Sequence, residues 1–450
     1  MRVEKGENTK ISNRYVTVIF AISFFVNLGF SCTSPAFPYL VLALKGVLTE
    51  IPEQLTGTLE AYKASFEFGA LMAAFMISRA PTAAFTGYLS DLIGRKRIIV
   101  LGLILYFLTA VGFIFSPNIP ILILVRVLQG VASAMVWPVA EALLTELVDK
   151  FERGRAMTIY VSLMNFAGIF GPSIGVGVYK LYIASTINPE LLIALRTPFI
   201  FLAFISLIAM FSSLLLPKNR KSQSEKSNRK VVFSGSGIKK ALGSLSWKVR
   251  KSIYTIYVNG IINGFGMGIV NTSAIVYIIQ EVVKDPAGLG LLYSISGVAA
   301  IASSLLAGNL SDKLKKRKNL ILASYILSRP VFFIIPFIKD LWTLIFLYSL
   351  TTLSFGMGMP LMRVLQADLT PSNIRGTIFG FQQTFFNSGV AAGALIGGYL
   401  CAIVATAEFN VLGIIINGIV IPFWITASLG VLTALLFWIF VSEPETKVSA

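Results

Sequence analysis

Gly87-Tyr88-Leu89-Ser90-Asp91-Leu92-Ile93-Gly94-Arg95-Lys96-Arg97 is a polar turn with three cations, wedged between two long apolar segments. A worn copy returns 221 positions later as Gly308-Asn309-Leu310-Ser311-Asp312-Lys313-Leu314-Lys315-Lys316-Arg317-Lys318. A hydrophobic chain that repeats itself around a charged loop reads as two homologous membrane bundles. Two bundles rocking about one central site is the working principle of a secondary transporter.

Composition agrees. Of 450 residues, 55% are hydrophobic and only 13% charged, against about 25% charged in soluble domains. Mean hydropathy is +0.78. A hydrocarbon core of roughly 30 Å takes about 20 helical residues. On that measure the chain holds twelve spans, near 15–44, 62–88, 98–116, 119–147, 156–184, 196–217, 252–281, 288–311, 319–338, 341–366, 376–404 and 411–441. The first apolar run is too long for a signal-peptide core and reads as an uncleaved first helix.

Charge sets the orientation. With the N-terminus in the cytoplasm, the inside loops hold Arg95, Lys96, Arg97, Lys150, Arg153, Arg155, a dense set from Lys218 to Lys251, the cluster Lys313–Lys318 and Arg375. The outside loops keep Lys45, Lys63, Lys180, Arg196, Lys284 and Lys339. That asymmetry follows the positive-inside rule. It places both termini in the cytoplasm and assigns the net charge of +17 to anionic lipid rather than nucleic acid. The chain has no histidine, which removes His-based triads and the common zinc sites. No nucleophile elbow or phosphate-binding loop appears. The reading is therefore a non-enzyme without metal or cofactor. Cys32 and Cys401 fall inside spans and read as packing residues.

The stretch 218–251, rich in Lys, Arg, Ser and Asn, reads as a cytoplasmic linker with one short amphipathic helix near 237–247. It separates an N-terminal six-helix bundle, 1–217, from a C-terminal one, 252–450. The halves align further. Pro138 and Pro360, Glu146 and Asp368, Gly154 and Gly376, Asn165 and Asn387, Gly171 and Gly393, and Gly175 and Gly397 are each 222 apart, as an internal duplication requires.

These motifs resemble the major facilitator superfamily over nearly the whole chain. The loop 87–97 fits that family's pattern Gly-x-Leu-x-Asp-x-x-Gly-Arg-Lys/Arg in every position. Leu28-Gly29 followed by Pro35-Ala36-Phe37-Pro38 resembles the first-helix pattern of twelve-span drug:proton antiporters. Leu122, Arg126, Gln129 and Gly130 resemble the fourth-helix pattern of proton-coupled members. Gly171-Pro172-Ser173-Ile174-Gly175 resembles the fifth-helix antiporter pattern, with Ala167 and Val176 where glycines are expected and Lys315 in place of one glycine of the second loop. The resemblance implies an all-α membrane fold of two pseudo-symmetric six-helix bundles and proton-coupled export of hydrophobic or amphipathic compounds by a monomer in the cell membrane. The alternatives are uptake or facilitated diffusion of a small polar metabolite, and a non-transporting sensor on the same scaffold.

Particular residues follow from this. Gly87, Asp91, Gly94, Arg95, Lys96, Arg97 and the second-copy Asp312 form a cytoplasmic clamp in the family, with Glu152 and Arg153 as counter-charges. Arg126 lies inside an apolar helix, where a cation is costly and faces a cavity or a partner; Gln129, Gly130, Ser133 and Trp137 share its face at about 100° per residue. Glu141 and Glu67 are the carboxylates inside spans, with Lys63 one turn from Glu67. Asn27, Asn165, Asn263, Gln382, Gln383 and Asn387 read as cavity-lining amides. Gly260, Gly264 and Gly268 form a packing stripe. Arg79 and Arg329 sit mid-span and either line a path or reach the interface and pair locally; Arg329 is the weaker candidate, since ninth helices in the family lie on the periphery. Glu141 and Arg363, 222 apart, suggest an inner gate of opposite charges; the alternative is two separate local pairings, for example of Arg363 with Asp368 or with nearby carbonyls. If the gate forms, Glu141→Arg with Arg363→Glu should regain a measurable part of the transport that either single substitution abolishes. A double variant no better than the singles would end the gate.

Overall fold

Inside a bilayer no water satisfies the backbone, so each apolar run of this chain closes its own hydrogen bonds as a helix. The computed structural model describes residues 2–55, 58–149, 152–217, 245–314, 317–370, 375–411 and 414–443; of 2–13, 84, 308–314, 375–377, 411 and 414–415 it describes the backbone alone. The basic stretch 218–251, down to its last few residues, lies outside the described residues, as do the short helix expected near 237–247 and the side chain of Asp312.

Among the described residues, eleven helices are long and apolar enough to cross a membrane, and a bent pair, Ala61–Ala83 with Phe85–Ile93, makes a twelfth. The chain is a multi-pass membrane protein. The first half comprises α1 (Arg2–Cys32), α2 (Ala36–Leu44), α3 (Ser65–Ile93), α4 (Arg95–Phe115), α5 (Ile119–Leu147), α6 (Arg153–Ser185) and α7 (Leu191–Ser213). The second comprises α8 (Trp247–Tyr277), α9 (Pro286–Leu314), α10 (Arg317–Ser328), α11 (Val331–Ile334), α12 (Leu341–Leu369), α13 (Arg375–Val404) and α14 (Val420–Phe440). Large side chains such as Phe115, Phe204, Phe346 and Trp438 stay exposed, as lipid-facing surfaces require.

Several boundaries depart from the sequence reading. The first span breaks at Thr33–Pro35, because Pro35 and Pro38 donate no backbone N–H. The second bends by 43° just beyond Pro81. The seventh opens five residues early, at Trp247, where the Ser246 hydroxyl accepts from the Val249 N–H at 3.5 Å. The run assigned to the start of the last span is an antiparallel hairpin, β1 (Glu408–Val411) with β2 (Ile414–Asn417), in the register Glu408 to Asn417. Asn410, Asn417 and Gly418 interrupt the apolar run there. The Asn417 side chain then accepts from the Ile419 N–H at 2.9 Å as α14 begins.

The described chain forms two compact units: Met1–Ser222 with Val283–Ser294, and Gln223–Val282 with Ile295–Ala450. The first twelve residues around the start of α9 thus belong with the first unit. In that unit α1 packs on α6 and α7, and α5 packs on α3 and α4; in the second, α8 packs on α13 and α14, and α10 on α12.

Glycine sets the closest crossings. A Cβ on Gly175 would lie 1.7 Å from the Cys32 carbonyl oxygen, and one on Gly171 2.5 Å from the Ser31 Cβ. The symmetry-related crossing of α13 on α8 repeats this. A Cβ on Gly393 would meet the Phe265 oxygen at 2.0 Å, and one on Gly268 the Val390 oxygen at 2.3 Å. Gly260, by contrast, has only ordinary contact with Gln382 at 3.8 Å, so the expected stripe of three narrows to Gly264 and Gly268. Gly175→Val should prevent α1 and α6 from closing. We expect loss of folded protein, or destabilisation by about 1–3 kcal/mol or more, in thermal melting of the detergent-solubilised chain. Gly177→Ala, which points into open space, should melt like the wild type.

Candidate functional site

The charged turn between α3 and α4 is built around Arg95. Gly94 supplies a backbone φ of 104° that other residues rarely adopt. The turn brings the Arg95 fork to Asp91 at 2.6 Å, to the Glu146 carboxylate on α5 at 3.0 and 3.2 Å, and to the Ser90 hydroxyl at 2.5 Å. Lys96 donates to the carbonyls of Leu214 and Leu216 at 2.6 Å each, at the end of α7, where a cation also meets the negative end of the helix dipole. Gly87 has open space beside it. Glu152 and Arg153 are exposed at the start of α6, and Arg97 is exposed on α4. The partner on the neighbouring helix is Glu146, which sequence reasoning aligned with Asp368 without giving it a role.

The second half repeats the pair. Arg317, 222 positions after Arg95, pairs with Asp368, 222 after Glu146. The backbone N–H groups of Arg317 and Lys318 donate to Glu443 at 2.6 and 3.0 Å, so an anion seals the N-terminus of α10. In each half the third span's cytoplasm-assigned end is stitched to the fourth and to the sixth.

Arg126 lies within the first unit. Its guanidinium donates to Gln129 at 2.6 Å and sits over the Phe37 ring at 3.9 Å, with Phe113 at 5.4 Å and Phe30 at 5.9 Å. Ring faces and one amide stabilise the charge. The rest of its helix face is shared between neighbours. A Cβ on Gly130 would strike Ser78 and the Phe75 carbonyl on α3, and the Trp137 indole donates to Tyr106 on α4 at 3.2 Å. Glu141 is half-buried on the same helix. Arg79 lies beside Phe75. Glu67 pairs with Lys45, while Lys63 pairs with Glu60. Asn27 donates to the Met164 carbonyl and ties α1 to α6. Asn165 is exposed, and Pro35 and Pro38 are buried.

The stretch Gly171–Gly175 touches two helices. One side meets α1, as above. On the other, the Ser294 hydroxyl of α9 donates to the Ile169 carbonyl at 2.7 Å and lies 2.8 Å from Ser173. Val176, where the antiporter pattern has glycine, would come within 2.7 Å of a Cβ on Gly290. The glycine absent from α6 is thus supplied by α9.

The second unit contains a cavity of about 250 Å³. Asn259, Asn263 and Asn271 of α8, Arg363 of α12, and Gln382 and Gln383 of α13 contribute its amides and one cation; Met267, Phe332, Phe355, Met359 and Phe386 form its apolar wall. Gln383 donates to Asn387 at 3.0 Å. Arg329, expected at the periphery, lines this cavity. The ninth span breaks at Arg329–Pro330, and the guanidinium donates to the Asn263 oxygen at 2.6 Å. It also lies 4.8 Å from the Tyr325 ring. Gly430 on α14 makes room for it: a Cβ there would be 2.4 Å from the arginine side chain. The sequence signal was available in Arg329-Pro330, a cation at a helix break facing a glycine-bearing helix.

Comparison with known proteins agrees with this architecture. The family model of the Major Facilitator Superfamily matches residues 19–258 and 256–450. The quinolone resistance protein NorA of Staphylococcus aureus strain COL is 23% identical over 410 residues, 91% of this chain and 96% of its own. Multidrug resistance protein 2 of Bacillus subtilis strain 168 is 26% identical over 333 residues, 74% of this chain and 79% of its own. Among solved structures, the nucleoside transporter NupG superposes with a TM-score of 0.71 at 13% identity, covering 95% of this chain and all of its own. A D-xylose-proton symporter superposes with a TM-score of 0.69 at 19% identity, covering 96% and 99%.

The Gly290–Val176 contact makes a pairwise prediction. Gly290→Val should overpack against Val176 and lower the melting temperature of the purified chain by several degrees, for a cost of about 1–3 kcal/mol. Adding Val176→Gly should restore at least half of that. A double variant as unstable as the single would break the assignment.

Proposed function

The chain belongs to the major facilitator superfamily and is a transporter, and from that premise we propose that it exports hydrophobic or amphipathic organic compounds across the cell membrane in exchange for protons. The observation that carries this is the second-unit cavity. Its wall sets methionine and phenylalanine side chains, adaptable and apolar, beside amides, two arginines and the hydroxyls of Ser, Thr and Tyr residues as polar handles. A pocket of that kind suits organic molecules with a large apolar body. The likeness to proteins named for quinolone and multidrug resistance supports the same direction.

In this reading both termini are cytoplasmic and the transporter works as a monomer. The pairs Arg95–Glu146 and Arg317–Asp368 act as clamps during alternating access. Being partly exposed, each contributes about 0–1 kcal/mol, which suits contacts made and broken every cycle. Glu141 carries the proton. Desolvation raises a carboxylate's proton affinity and a nearby cation lowers it, so a change of surroundings between states loads and unloads it. Glu67 is held by Lys45 and is the weaker choice.

Proteoliposomes test the proposal. Imposing a pH gradient should drive a lipophilic drug against the proton flow, with transport falling at least tenfold in Glu141→Gln. Solute flux indifferent to the gradient would instead favour facilitated diffusion, and flux of sugars but no drug would overturn export of amphipathic compounds.

A further inference from the structure

We infer that the second-unit cavity is an anion-selective subsite: its preferred substrates carry a carboxylate or similar anionic group on an apolar body, held by Arg329. This deepens the transporter reading above and rests on it.

Three observations carry the inference. First, two arginines, Arg329 and Arg363, line the cavity, and no aspartate or glutamate is among its lining residues. Second, Arg329 is incompletely satisfied. One terminal nitrogen donates to Asn263 at 2.6 Å, while its Nε is buried with no hydrogen-bond partner among the described residues. A guanidinium offers five N–H donors in a planar fork that matches a carboxylate. Third, the groups around it are arranged for a fixed cation rather than a neutralised one. The Asn263 oxygen accepts from both Arg329 and Thr433, the latter at 3.2 Å. The Asn263 amide donates back to the Asn259 carbonyl at 2.9 Å. Asn259 in turn donates to the Thr433 carbonyl at 3.0 Å. These neutral groups orient the arginine and leave its charge in place.

An unneutralised cation among membrane helices is costly. An anion entering this cavity removes that cost and gains a charge-assisted hydrogen bond, whereas a cationic ligand meets two like charges. Phe355, Met359 and Phe386 then cover the apolar part of the ligand. The site therefore discriminates by charge at one end and tolerates variety at the other.

Equilibrium dialysis on the purified full chain in nanodiscs tests this, using 2-naphthoate and 4-(1-pyrenyl)butyrate, each beside its methyl ester, and tetraphenylphosphonium as a lipophilic cation. The acids should bind on the order of tenfold tighter than their esters, the discrimination worth one charge-assisted contact, and tetraphenylphosphonium more weakly than either acid. Arg329→Gln should erase the preference for acid over ester, and Arg329→Lys should keep part of it. Acids and esters binding alike to the wild type, or cations binding best, would overturn the subsite whether or not the arginine variants fold. Proton-coupled drug flux in proteoliposomes reads separately. If it persists while acids and esters bind alike, export stands and anion selectivity falls. If acids outbind esters but no flux responds to pH, the subsite stands and antiport falls.

Discussion

The fold depends on how closely two backbones can approach where glycine replaces a side chain. In lipid there is no hydrophobic gain from pressing one apolar helix against another, so van der Waals contact at small residues decides which helices pair. Here those places are the crossings of α1 with α6 and of α8 with α13, where a Cβ on Gly175 or Gly393 would fall within 2.0 Å of a facing carbonyl oxygen. Everything else is positioned from these crossings. They bring Asn27 to the Met164 carbonyl in one half. In the other they leave the polar edge of α8, with Asn259 and Asn263, turned to a cavity.

The two halves share this frame and differ in where they put their buried cation. Arg126 on the fourth span corresponds at the 222-residue offset to Tyr348 on the tenth, and Arg329 on the ninth corresponds to Phe107 on the third. Each unit thus has a deeply placed arginine at a position where the other has an aromatic residue. Their company differs. Arg126 is enclosed by phenylalanine rings and one glutamine. Arg329 sits on an amide network beside open volume. The halves share the scaffold, while one encloses its arginine in aromatic rings and the other sets it beside a ligand-sized space.

Helix identity and duplication were legible in the sequence because both are carried by local pattern: apolar length, prolines, and glycines at a constant offset. Arg95 could be read as important from its motif. Its partner could not, since Glu146 was one of several acids at helix ends. The loop copies align at 221, but the ion pair of Arg317 with Asp368 obeys 222. Arg329 was ranked low on the family's peripheral ninth helix; the structure breaks that span at Arg329–Pro330 and sets the arginine on the cavity wall. The hairpin at 408–417 was hidden by composition, an apolar run being consistent with either helix or strand until its asparagines and glycine are weighed.

The same logic explains how a departure from a family pattern can be harmless. Val176 stands where close packing calls for glycine, and taken alone it argues against an antiporter-like fifth helix. What the contact requires is one missing side chain between two helices, and it does not matter which helix omits it. Gly290 on α9 meets the requirement from the other side. A motif written along one strand of sequence records half of a contact; the other half lies wherever the fold brings its partner. For this chain that partner is 114 residues away, in the segment Val283–Ser294 that packs with the first unit although it follows the linker. The physical unit of the motif is therefore the helix pair, and its integrity is judged by the space between α6 and α9 rather than by the letters of either.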